Sequence, residues 1–186
     1  MRRLHFRSSS AVSVLAVLLA LVCLQTGWAQ DAAPALELPD HTGQAQRLEE
    51  YRGKVVVLNF WATWCAPCVA EMPIFVELQR RFGPRGVVVL AASLDMEETK
   101  GNIPAFMKKH KMSFPVLVGT TVDHMQQLGL GETLPATVIL DVEGQVFGRI
   151  LGQAKKRDIV ERVEWLLGDR KKKQPTALVD HVPKRR

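Results

Sequence analysis

The chain has 186 residues, 47% hydrophobic and 24% charged, a length and balance that suit one globular domain with its own core. Its formal charge of +6 sits at the ends: residues 1–29 hold three Arg and no acid, residues 168–186 hold seven Lys/Arg against Asp169 and Asp180, and residues 30–167 are net −2. A near-neutral domain with basic ends is no nucleic-acid footprint, so no nucleic-acid partner is expected.

Residues 1–29 read as an export signal, with Arg2, Arg3 and Arg7 leading into an uncharged apolar run of 14 residues, Ala11–Leu24. That length suits a signal core better than a membrane span, which needs about 20 residues. Gly27-Trp28-Ala29 offers a small-x-small cleavage site. An uncleaved inner-membrane anchor through residues 8–28 is the competing reading. Cleavage removes Cys23 and leaves Cys65 and Cys68 as an even pair in an oxidising compartment, the periplasm. The expected units are therefore a signal at 1–29, a domain at 30–168 and a basic tail at 169–186. Charge, two prolines and the lack of periodicity predict that the tail is disordered.

In chain order, Leu36–Leu38 and Gln46–Leu48 flank Pro39, Asp40 and Gly43, which predicts a small N-terminal hairpin. Val55–Phe60 is an apolar, β-branched run after Gly53, as expected of a central strand covered on both faces. From Trp64 the period turns helical and runs to Gly83-Pro84, with Pro73 expected to kink it. Gly86–Ala92 is a second buried strand. Met96–Met112 reads as a helix entered through Asn102 and Pro104, its basic end at Lys108, Lys109, His110 and Lys111 complementing the dipole. Phe114–Val118 is a short strand, and Thr121–Leu128 a helix stopped by Gly129. Leu134–Asp141 and Gln145–Gly152 flank a turn at Val142-Glu143-Gly144, which predicts an antiparallel hairpin. Lys155–Leu167 closes the domain as an amphipathic helix. The order predicts an α/β, three-layer sandwich around a mixed central sheet, with the N-terminal hairpin and a central insertion after the second main strand.

Chemistry concentrates where the central strand runs into Trp64-Cys65-Ala66-Pro67-Cys68. A cysteine that opens a helix lies among unpaired backbone N–H groups at the positive end of the dipole, and both favour thiolate. A thiol with a pKa of ~8.5 is only about 3% ionised at pH 7, whereas one lowered to ~7 is about half ionised. Cys65 is the expected nucleophile and Cys68, one turn deeper, the resolving thiol. Ala66 and Pro67 place no cation or histidine between the sulfurs, so the couple is expected to be reducing.

A plain structural disulfide is one alternative, but a four-residue ring gives only roughly 2 kcal/mol on chain-entropy grounds. The other is a Cu(I)-binding or metal-delivery module built on the same thiolates. No second CxxC is present, and His41, His110, His124 and His181 are scattered, so no metal or other cofactor is expected. The peroxiredoxin pattern wants Pro at 58 and Thr or Ser at 62, where this chain has Leu58 and Ala62.

The combination FWATWCAPC, with Asn59 before the cysteines, Glu71 and Pro73 after them and LPATVILD downstream, resembles the TlpA/ResA-like branch of the thioredoxin superfamily over residues 34–167. The resemblance implies a thioredoxin-like fold and a thiol-disulfide oxidoreductase with antioxidant activity; a monomer is expected. Its clients would be protein thiols and disulfides, with a membrane dithiol as electron donor. Cytochrome c biogenesis or oxidase copper-site maturation fit it, although LGLGETLPA lacks the GVxGxPE loop of the dedicated cytochrome c branch. It further implies a cis peptide bond at Pro135, facing the disulfide, with Leu134, Trp64 and Pro67 beside the substrate. Glu71 would tune or deprotonate the thiols; an exposed helix glutamate is the alternative. Asn59 stands where cytoplasmic thioredoxins carry a buried Asp.

Overall fold

The computed structural model describes residues 32–168 and 171–183. The expected signal, Cys23 and the Ala29 cleavage site lie outside the described residues. Twelve elements follow in order: β1 (Glu37–Pro39), β2 (Ala45–Arg47), β3 (Val55–Trp61), α1 (Ala66–Phe82), β4 (Val87–Ser93), α2 (Ile103–His110), β5 (Val116–Leu117), α3 (Val122–Gln127), β6 (Ala136–Leu140), β7 (Val146–Leu151), α4 (Lys156–Leu166) and β8 (Leu178–Asp180). β1 and β2 pair as the N-terminal hairpin, and the main sheet runs β5-β4-β3-β6-β7-β8. β4 is parallel to β3 and β6 antiparallel to it, so the sheet is mixed and β3 lies inside it. This is a thioredoxin-like architecture, with α2 and β5 as the central insertion.

All seven residues of β3 are buried, and their alternation divides the core. Val55, Val57 and Trp61 meet α1, α2 and α4 through Phe75, Ile103, Ile159 and Val163. Val56, Leu58 and Phe60 meet α3 and the hairpin through Met125, Leu128, Leu36 and Leu38. A strand apolar on both faces forms only where two layers cover it.

The second helix is shorter than Met96–Met112 because Pro104 has no N–H to donate and fits best in a first turn. A 3-10 turn, Lys100–Asn102, precedes α2, and Lys111, at φ 55°, ends it. β5 is likewise trimmed from Phe114–Val118 to two residues, just after Pro115.

The tail corrects the expectation of disorder over its described part. Thr176, Ala177, Leu178 and Val179 sit between Pro175 and Pro183, and β8 pairs in parallel with β7, Leu178 opposite Arg149 and Asp180 opposite Leu151. Arg162, fully buried on α4, donates through Nη1 to Asp158 O at 2.6 Å and through Nη2 to Thr176 O. A buried guanidinium needs such acceptors; Glu161 Oε1 lies 3.3 Å from Nη1, and the tail supplies the acceptors of Nη2. Charge composition hid this anchor.

Arg162→Ala removes the guanidinium donor from Thr176 O and empties a fully buried site, and should lower stability by about 2–4 kcal/mol. Hydrogen exchange at Leu178–Asp180 should lose its protection before the rest of the sheet does. Uniform protection in the variant would show that the strand does not depend on the anchor.

Candidate functional site

β3 ends at Trp61, and Ala62-Thr63-Trp64 carries the chain across to α1. Cys65 is the N-cap, with extended backbone (φ −86°, ψ 98°) and no side-chain cap bond of its own, and Pro67 lies in the first turn. Cys65 O accepts from Val69 N–H at 3.0 Å, which begins the helical ladder, while Cys65 N–H donates to Ala62 O. The sulfur thus sits where the first-turn N–H groups have no intrahelical partner.

Cys65 and Cys68 are joined as a disulfide, their Cα atoms 5.3 Å apart. Exposure distinguishes them: Cys65 retains 7% and Cys68 none. Ala66 and Pro67 are exposed, and Trp64 is 61% exposed. Trp64 and Thr63 border an open groove with Phe106 and Lys109 of α2. Trp61 and Phe60 are fully buried core residues.

The Leu134–Pro135 peptide bond is cis. The register Phe60–Ala136 brings Leu134-Pro135 alongside the end of β3, where the chain turns toward Cys65. Pro135 is buried, and Leu134 packs on the core cluster that holds both cysteines.

Glu71 is not an exposed helix glutamate: it is completely buried. Its Oε1 accepts from Asn59 Nδ2 at 2.8 Å and its Oε2 from Ala154 N–H at 2.6 Å. Asn59 Nδ2 also reaches Thr137 Oγ1 on β6 at 3.1 Å. Burial pushes the carboxyl up to about 7, against the two donors, which favour its charged form. Glu71 follows Cys68 by three residues on one helix face, so an acid pushed up to about 7 stands one turn beyond that cysteine.

Sequence reasoning missed the donors of this acid. Ala154 contributes only backbone, so its residue type carries no signal; Asn59 lies 12 positions away on β3, and inward alternation from Val55 and Val57 was the available clue. Also missed was Asp95, 6% exposed, which accepts from Thr63 N–H at 2.9 Å, Thr63 Oγ1 at 2.5 Å and Ser93 Oγ at 2.7 Å. It ties down the segment that leads into Trp64. Ser93 and Asp95 at a strand end suggest a local turn, but not its partner Thr63. Among the described residues no group of three or more His, Cys, Asp or Glu is placed to hold a metal ion, and no helix is long and apolar enough to cross a membrane.

The profile of the AhpC/TSA family matches residues 29–148. The thiol-disulfide oxidoreductase ResA of Geobacillus thermodenitrificans is 38% identical over 132 residues, 71% of this chain and 74% of that one. A putative thiol:disulfide interchange protein DsbE from Chlorobium tepidum superposes with a TM-score of 0.67 at 28% identity, over 75% of this chain and 97% of that one. The exposed lipoprotein thioredoxin Etrx1 of Streptococcus pneumoniae does so with a TM-score of 0.61 at 26% identity, over 71% and 99%.

The raised pKa of Glu71 has a consequence for stability. A carboxyl near 4.5 unfolded and about 7 folded binds more protons in the folded state between those values, so its contribution is complete below ~4.5 and falls as pH rises toward ~7. Glu71→Gln should remove this decline from the oxidised protein, a flattening on the order of 3 kcal/mol. Urea unfolding from pH 4 to pH 8 measures it, and parallel curves for the two proteins would contradict the assignment.

Proposed function

The chain belongs to the TlpA/ResA-like branch of the thioredoxin superfamily, within the AhpC/TSA family, and is a thiol-disulfide oxidoreductase; from that premise we propose that it is exported and reduces disulfides in client proteins. The observation that carries the reading is the unequal burial of a disulfide at a helix N-terminus, Cys65 at the rim and Cys68 sealed behind it.

The cycle begins with the dithiol. The Cys65 thiolate attacks one sulfur of a client disulfide; the client S–S bond breaks, a mixed disulfide forms, and the other client sulfur leaves as thiolate and is protonated. Cys68, deprotonated by Glu71, then attacks Cys65 Sγ, closes the four-residue ring and expels the second client sulfur, which takes up the proton. The client gains two electrons and two protons, and the protein is left as the disulfide seen here. A membrane dithiol then reduces it.

Trp64, Pro67, Leu134 and Pro135 form the proposed client-binding rim. Trp64 and Pro67 are exposed beside Cys65, and Leu134 has backbone for an extended client strand. The reducing direction rests on Ala66 and Pro67, which supply no positive charge to stabilise the thiolate form. Export rests on the basic, then apolar character of residues 1–29; in the periplasm, with or without an inner-membrane tether, the two cysteines would work in an oxidising compartment. Apocytochrome c or oxidase copper-site cysteines are the proposed clients.

Cys68→Ser, lacking the resolving thiol, should accumulate a reducible mixed disulfide with client through Cys65, while Cys65→Ser should not. Trapping through Cys68 instead would reverse the two roles. The couple should equilibrate with glutathione or thioredoxin buffers at a potential well below about −120 mV, the strongly oxidising end of such couples. A value near that end would overturn the reducing direction.

A further inference from the structure

The C-terminal segment grips one short loop, and that loop holds the buried acid. Residues 152–155 join β7 to α4, and Ala154 N–H donates from them to Glu71 Oε2 at 2.6 Å. His181 N–H donates to Leu151 O at 2.8 Å, immediately before the loop. Beyond it, His181 Nε2 lies 2.7 Å from Asp158 Oδ2. Asp158 N–H in turn donates to Lys155 O at 2.9 Å, which ties the partner of His181 to the residue that follows Ala154. The loop itself meets the segment backbone to backbone. Gly152, at φ +77°, has no Cβ, and one placed there would lie 3.0 Å from His181 C and Val182 N.

Covering the β7 edge explains β8, but an edge needs only backbone pairing. It does not require a histidine and a nearly buried aspartate bonded across the start of α4, nor a glycine at the contact. These features fix where residues 152–155 lie, and Ala154 is among them.

We propose that residues 176–182 position the buried acid: His181, through Asp158 and the 152–155 loop, holds the Ala154 N–H against Glu71 and so limits the proton affinity of that carboxyl. His181 and Asp158 are positioning residues. The inference deepens the reading of Glu71 as the acid that serves the dithiol. An N–H directed at a carboxylate favours its charged form, so a slack loop leaves burial to dominate and proton affinity rises. The groups that surround Glu71 are Asn59 on β3, Ala154 on the loop and Cys68 on its own helix, with Thr137 of β6 behind Asn59. Around the His181–Asp158 pair are Arg157, 4.0 Å from Asp158 Oδ1, and Arg162 with Glu161.

The test is a 13C NMR titration of the Glu71 side-chain carboxyl in the oxidised, full-length protein. His181→Phe keeps a ring and removes the donor, whereas His181→Gln keeps a donor. The midpoint should rise by about one pH unit in His181→Phe, a tenfold gain in proton affinity, as expected for a weakened charged hydrogen bond. His181→Gln should recover most of that shift. An unchanged midpoint in His181→Phe overturns the proposal, whatever happens to its melting temperature. The pH profile of the dithiol potential in Glu71→Gln tests the underlying reading separately. If that profile is unaltered while the His181→Phe midpoint moves, the positioning stands and the link from Glu71 to the dithiol fails. If that profile changes while the midpoint stays fixed, the link stands and the positioning fails.

Discussion

A carboxyl group sealed from water needs donors from the protein, and the way Glu71 finds them links most of the molecule. One donor stands on the central strand β3 and the other on the loop before α4. Asn59 is itself held by Thr137 on the neighbouring strand β6. The acid therefore ties the cysteine-bearing helix to the middle of the sheet and to the chain beyond β7. Its two hydrogen bonds are strong because the acceptor is charged, and weaker when it is protonated. Burial and hydrogen bonding oppose each other at this carboxyl, and their balance leaves it near neutrality. Replacing Asn59 by an acid, as at this position in cytoplasmic thioredoxins, would set two carboxyls side by side; the amide lets a single one titrate.

The two sulfurs sit in different electrostatic surroundings although three residues separate them. Cys65 has the helix N-terminus and partial access to solvent, so its thiolate is stabilised without any cationic side chain. Cys68 is fully buried where Cys65 is not, and burial disfavours a charged sulfur. In the proposed cycle this division orders the chemistry: the rim sulfur attacks first and the inner sulfur follows, with the carboxyl one turn away to take its proton. Asp95 serves the same division at the other end of the loop by fixing Thr63, so that Cys65 enters the helix at one angle.

Much of this was legible in the residues. The run Val55–Phe60 announced a strand buried on both faces, and the CxxC after it announced the reactive helix end, because both signals are local. The cis bond at Pro135 and the importance of Glu71 came from resemblance. Periodicity carries neither, since an i+3 glutamate on a helix reads equally well as solvated. Burial of Glu71 depends on Asn59 and Ala154, which are 12 and 83 positions away, and no local pattern encodes such pairings. Composition misled at the tail, where Lys171–Lys173 and the two prolines outweigh the short Ala177-Leu178-Val179 run. Arg162 on another element, the pairing with β7 and the contacts of His181 together hold that run in place. The second helix is shorter than its periodicity suggests for a local reason: Pro104 sits in its first turn and sets where it can begin.

The position of the tail also bears on where a client can bind. β7, with Phe147 and Ile150, would be a six-residue edge open to strand addition, and edges of that kind invite unwanted pairing. β8 covers it with three residues flanked by Pro175 and Pro183, which blunts the new edge. At the opposite end β5 has only two residues, and the Pro39–His41 stretch bonds to it through His41 N–H to Val116 O and Val118 N–H to Pro39 O. With both edges shortened in this way, the proposed client strand would find its backbone partners at the Leu134-Pro135 turn beside the end of β3 instead. The segment that covers the β7 edge through Leu178–Asp180 thus also reaches, through His181, the loop whose Ala154 N–H donates to Glu71.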